Sequence, residues 1–168
     1  ELNFEIDKKN EEKYLSQKLE SEKGIRILID KVLSSKSVSI DYLISESNSY
    51  ISFCLNSTIS YYVNFNLKDI SYTLNLFQEI FESKILKIIY DHKFFLKILK
   101  SNKINIDHNF FDIKIANYLV DSSRRDDLES ILKININAEI SENQIHTRVS
   151  HIKKTYELLF DSLNLNGL

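Results

Sequence analysis

The sequence predicts an α/β fold: a mixed sheet with an antiparallel meander, flanked by helices. Three consecutive runs, 37–43, 50–55 and 58–64, are β-branched and aromatic or alternate with polar residues, and the Ser and Asn clusters between them supply turns. Beyond residue 67 the apolar spacing turns helical, and one short apolar run at 85–90 leads straight into an amphipathic stretch.

In chain order, the charged segment Lys8-Lys-Asn-Glu-Glu-Lys13 reads as a flexible lead-in covering residues 1–13, with one domain over 14–168. Apolar residues at 25, 28, 29, 32 and 33 mark a helix that starts at Ser21 or Glu22. The three strand-like runs follow. Residues 67–82 then place apolar side chains at 70, 74, 76, 77, 80 and 81, a helix leading into a strand over 85–90. A helix over 92–100, an extended piece at 104–106 and a helix over 111–120 come next. A polar loop at 121–125 and a short helix at 126–132 precede a final helix over 141–163, with apolar positions 145, 149, 152, 156, 159, 160 and 163.

Composition suits a single core: 168 residues, 43% hydrophobic and 27% charged. The sequence contains no Met, which predicts that it was cut from a larger polypeptide, and two Gly with no Pro leave element boundaries weakly punctuated. A net charge of −2 excludes a bulk electrostatic pull toward nucleic acid and leaves only a local basic groove. The single Cys54 sits in the apolar run 50–55 and reads as a structural thiol; no intrachain disulfide is possible, which fits a cytoplasmic setting. No apolar stretch reaches the ~20 residues of a membrane span, so no membrane association is expected.

Two segments carry chemistry. They are Lys87-Ile-Ile-Tyr-Asp-His-Lys-Phe-Phe-Leu-Lys-Ile-Leu99 and, a helix length later, Asn109-Phe-Phe-Asp-Ile-Lys-Ile-Ala-Asn-Tyr-Leu-Val120. Their succession resembles the proofreading 3'-5' exonuclease domain of bacterial DNA polymerase I, a family A polymerase, over roughly residues 14–163. The resemblance implies a ribonuclease H-like (DnaQ-like exonuclease) fold. It also implies four carboxylates from three motifs, holding two divalent cations that clamp the attacking water and the leaving oxygen.

Matched motif by motif, most of those ligands are replaced. In the Asn-x-Lys-x-Asp motif, Asp91 stands at the Asn position, Lys93 at the Lys position and Phe95 at the metal-binding Asp. In Asp-x-Glu, Asp41 is kept and Leu43 replaces the Glu. In Tyr-x-x-x-Asp, Arg148 stands at the Tyr that orients water and Ile152 at the Asp. The one literal Asp-x-Glu, Asp127-Leu-Glu129, falls on a helix where i and i+2 side chains diverge, and is read as a decoy. Asp91 reads as a helix cap, and Asp112 as a helix cap or a partner of a loop amide rather than of a metal.

These matches predict an inactive exonuclease-like domain with no catalytic residues and no cofactor of its own, magnesium being expected in the parent polymerase domain. Its expected role is a monomeric spacer packing on the polymerase domain of the same chain, with DNA a partner of the full-length, nucleoid-associated protein. Phe95, Leu43 and Ile152 are expected to close over the vacated centre, with Phe95 buried there. Lys93, Lys97, Lys100 and Lys103 line one side of a helix and could follow a phosphate backbone, though without interleaved aromatics a solvated face is the plainer reading. His146 and His151, five apart, and His92 and His108 show no ligand pattern. Two other readings stand beside this one: an active exonuclease with Asp41, Asp91 and Asp112 sharing metals, and a stand-alone ribonuclease H-like interaction module.

Overall fold

The computed structural model describes residues 14–165 and Gly167; the expected lead-in over 1–13 lies outside them. Its strands are β1 (Leu15–Lys18), β2 (Ser37–Leu43), β3 (Ser49–Cys54), β4 (Ile59–Phe65), β5 (Leu86–Ile89) and β6 (Phe110–Asp112). They form one sheet in the order β1-β4-β3-β2-β5-β6. The meander β2-β3-β4 is antiparallel, β1 joins β4 in parallel, and β5 and β6 extend β2 in parallel. The predicted mixed sheet with its meander is therefore the observed one.

Among the described residues, seven helices cover it: α1 (Glu22–Leu33), α2 (Ile70–Leu76), α3 (Gln78–Glu82), α4 (His92–Ser101), α5 (Ile113–Val120), α6 (Leu128–Ile136) and α7 (Arg148–Leu165). Ser21 caps α1 by accepting from the Gly24 amide at 3.1 Å. Four boundaries differ from expectation. The helix expected over 67–82 is a short 3-10 turn followed by α2 and α3, broken at Phe77, whose backbone (φ −105°, ψ 10°) leaves the helical region while its ring is fully buried. Residues 104–106 form no strand; Phe110–Asp112 does, so α5 begins at Ile113. The helix expected over 126–132 lies at 128–136. The final helix begins at Arg148, after a 3-10 segment over Glu142–Thr147.

Because side chains alternate along a strand, each face of the sheet has its own core. Val38 and Ile40 of β2, Ile51 and Phe53 of β3 and Ile89 of β5 pack with α1, α2, α3 and α4 through Leu28, Leu74, Phe77, Phe81, Phe95 and Leu99. Ile88, from the other face of β5, packs with Ile113, Ile131, Ile152 and Leu159 of α5, α6 and α7. Where α7 crosses β2 and β3 the side chains are small and polar: Ser39, Ser52, Cys54 and Ser150 are all buried. Small residues let a helix sit close on a sheet, and the Ser150 hydroxyl lies 3.3 Å from the Cys54 sulfur. Cys54 is thus the buried thiol expected, and burial pushes its pKa up. No helix among the described residues is long and apolar enough to cross a membrane.

Candidate functional site

The crossing of α7 over β2 brings together two of the residues singled out from the sequence. Asp41 sits near the C-terminal end of β2 on the face toward α7, 5% exposed. Arg148 is the first residue of α7. Its Nε donates to Asp41 Oδ2 at 2.8 Å and its Nη2 to Asp41 Oδ1 at 2.9 Å, a two-toothed ion pair. Nη2 also lies 3.4 Å from the Tyr42 carbonyl, so the guanidinium grips side chain and backbone of the same strand. Burial disfavours the charge on Arg148, but Asp41 more than offsets it and holds the pKa above its ordinary value.

Three further side chains complete the surroundings, and the sequence reading had flagged only His146 among them. The Tyr50 hydroxyl donates to Asp41 Oδ2 at 3.1 Å; burial, then the neighbouring carboxylate, raises its pKa well above the usual phenol value. His146 stacks on Tyr62 with ring centroids 3.7 Å apart and planes 5° apart, and meets Tyr50 edge-on at 4.6 Å. Burial lowers its pKa. The signal available in the sequence was the antiparallel register: with Leu43 opposite Tyr50 and Asp41 opposite Ser52, Tyr50 falls on the same face as Asp41.

The residues expected to close over the centre do not meet. Leu43, beyond Asp41 at the strand end, is 38% exposed, whereas Phe95 is 1% exposed and Ile152 fully buried. Phe95 is buried as expected, but in the core on the opposite face of the sheet, against Tyr42 and Phe81 at ring distances of 4.9 and 5.7 Å. Ile152 packs with Ile88 and Ile113 in the other core. The physical reason is the pleat: Tyr42 points away from the Asp41 face, and α4 lies against Tyr42.

The remaining carboxylates are spoken for locally. Asp91 takes a left-handed conformation (φ 54°) between β5 and α4 and caps α4 by accepting from the Phe94 amide at 3.2 Å. Asp112 caps α5 through the Lys114 amide at 2.8 Å, accepts from the His92 amide at 2.9 Å, and meets His92 Nδ1 at 2.6 Å. Asp127 caps α6 through the Ser130 amide at 2.9 Å. His151 lies against Tyr14 and the Thr147 carbonyl, far in role from His146, and His108 is exposed.

These residues do not fit a pair of divalent cations. Both oxygens of Asp41 are engaged by Arg148 and Tyr50, its neighbour two along is Leu43, and Phe95 faces the other core. Among the described residues, no three His, Cys, Asp or Glu side chains gather as a metal site. Beside Arg148 opens a cavity of about 400 Å³ lined by Arg125, Glu129, Lys133, Glu139 and Ile145. On the other side of the sheet, Lys93, Lys97, Lys100 and Lys103 are exposed on and just after α4. Phe94, three residues from Lys97, is 54% exposed, and its ring stacks on Tyr42 at 6.3 Å.

The fold, a mixed sheet flanked by helices, matches that of solved ribonuclease H-like, DnaQ-like exonucleases. Ribonuclease D of Trypanosoma brucei superposes with a TM-score of 0.71 at 10% identity, over 88% of this chain and 65% of that one. Ribonuclease D of Escherichia coli, an exoribonuclease involved in structured RNA processing, gives 0.70 at 10% identity over 90% and 46%. The catalytic core of RRP6 from T. brucei gives 0.69 at 13% identity over 90% and 48%. In sequence, DNA polymerase I of Borreliella burgdorferi is 31% identical over 113 residues. That similarity spans 61% of this chain but only 12% of the polymerase. No family model matches the chain.

Proposed function

We propose that this is a catalytically silent 3'-5' exonuclease-like domain of a family A DNA polymerase, kept as a rigid spacer that packs on the polymerase domain of the same chain. The observation that carries the reading is the two-toothed Arg148–Asp41 pair: the one carboxylate retained from the expected set is bound to a guanidinium. Leu43, Phe95 and Ile152 offer no oxygen ligand in its place. The sequence similarity to a DNA polymerase I supports the parent, and the fold supports the exonuclease ancestry. On this reading the parent works in DNA replication and repair in the cytoplasm, bound to the nucleoid, and magnesium belongs to its polymerase domain.

The test is digestion of 3'-labelled single-stranded DNA and RNA by the purified protein in magnesium or manganese, beside a proofreading-competent homologue. No shortening is expected. Metal-dependent shortening that disappears in Asp41→Ala would overturn the reading, and activity indifferent to that substitution marks a contaminant. The reading frame that encodes this chain should continue into a family A polymerase.

A further inference from the structure

We infer that Arg148 is the resident cation of this site: its guanidinium does for Asp41 and α7 what divalent metal does in a carboxylate-rich exonuclease centre, making the β2–α7 joint independent of metal. The inference rests on the reading of the domain as catalytically silent, and deepens it.

A carboxylate as buried as Asp41 needs a cation or several donors. Arg148 supplies two N–H groups at 2.8 and 2.9 Å and Tyr50 a hydroxyl at 3.1 Å. The planar fork matches the two carboxylate oxygens as a lysine could not. Helix stability does not explain the residue, because a cation in the first turn opposes the helix dipole. The arrangement makes sense as a joint across 107 residues of sequence. Next to it, His146 on Tyr62 and Tyr50 holds the segment before α7 against β3 and β4. The guanidinium therefore occupies the electrostatic place of a metal, with geometry fixed from both sides.

Thermal melts of the protein, Arg148→Ala, Asp41→Asn and the double variant test this, each with and without millimolar manganese or methylguanidinium at matched ionic strength. Arg148→Ala should melt on the order of 10 °C lower, because it leaves a buried carboxylate unpaired. The double variant should be no less stable than Arg148→Ala. Methylguanidinium should raise the melting temperature of Arg148→Ala and leave the double variant unmoved. Should Arg148→Ala fail to fold, Arg148→Lys, which keeps charge but loses the fork, should fall between it and the parent. Additive losses in the double variant, or an unchanged melting temperature in Arg148→Ala, overturn the assignment, as does a parent protein stabilised by manganese. Nuclease activity with intact coupling would remove the functional reading alone; absent coupling with absent nuclease activity would remove this inference alone.

Discussion

The rings of Phe95 and Tyr42 lie 4.9 Å apart, on the face of β2 opposite the one that carries Asp41. Two adjacent residues of one strand thus separate a core contact from an ion pair. Position 95 contributes to packing with Phe81 and the α1 side of the molecule, and a side chain there would have to leave that core to reach Asp41.

Phe95→Ala should therefore cost on the order of 3 kcal/mol, as for other core aromatics. Phe95→Asp should cost more, since it buries a carboxylate with no cation at hand. Neither variant should gain stability from divalent metal. Denaturant melts measure both costs. A Phe95→Asp protein as stable as the parent, or one stabilised by manganese, would place the side chain at the Asp41 site after all.

Stability should fall as the solution becomes acid through His146. Burial holds its folded-state pKa below the ordinary 6.5. The unfolded chain consequently takes up the proton first, and the stability present above about pH 6.5 is lost as pH drops through the lower folded value. His146→Phe keeps a ring for Tyr62 and removes the proton site, so its melting temperature should depend less steeply on pH between neutrality and pH 5. Identical slopes for parent and variant would assign the acid sensitivity elsewhere.

Lys93, Lys97, Lys100 and Lys103, with exposed Phe94 among them, should give weak single-stranded DNA binding without sequence preference. Affinity is expected no tighter than about 1 μM and steeply salt-dependent. Replacing the first three by Gln and Lys103 by Asn should flatten the salt slope; Asn suits position 103 because its φ is 57°. Fluorescence anisotropy across a salt series measures this. A slope unchanged by the four substitutions would locate any binding on another surface.

How much of this was legible in the sequence depends on the range of the interactions. The meander and the α1 and α4 boundaries follow from local spacing and from the caps Ser21 and Asp91, which act within three residues. β1 was missed because all four of its residues are exposed, leaving no apolar period to read. Phe77 ends one helix without Gly or Pro because burial of its ring outweighs continuity of the backbone. The resemblance to a known motif set singled out Asp41 and Arg148 separately, but no local rule joins positions that far apart. The same gap explains Leu43, Phe95 and Ile152: their apolar character was plain, whereas the faces they take depend on where α4 and α7 settle.

The short outer strands have a consequence for solubility. Among the described residues, one edge of the sheet is β1, four residues with polar or exposed side chains including Lys18, and the other is β6, only three residues long. Long, flat, apolar edges template pairing with other molecules, whereas short or charged ones resist it. The strongly apolar β2, β3 and β5 are all interior, so deleting β1 would bare the longer β4 as an edge and is expected to favour strand-to-strand self-association.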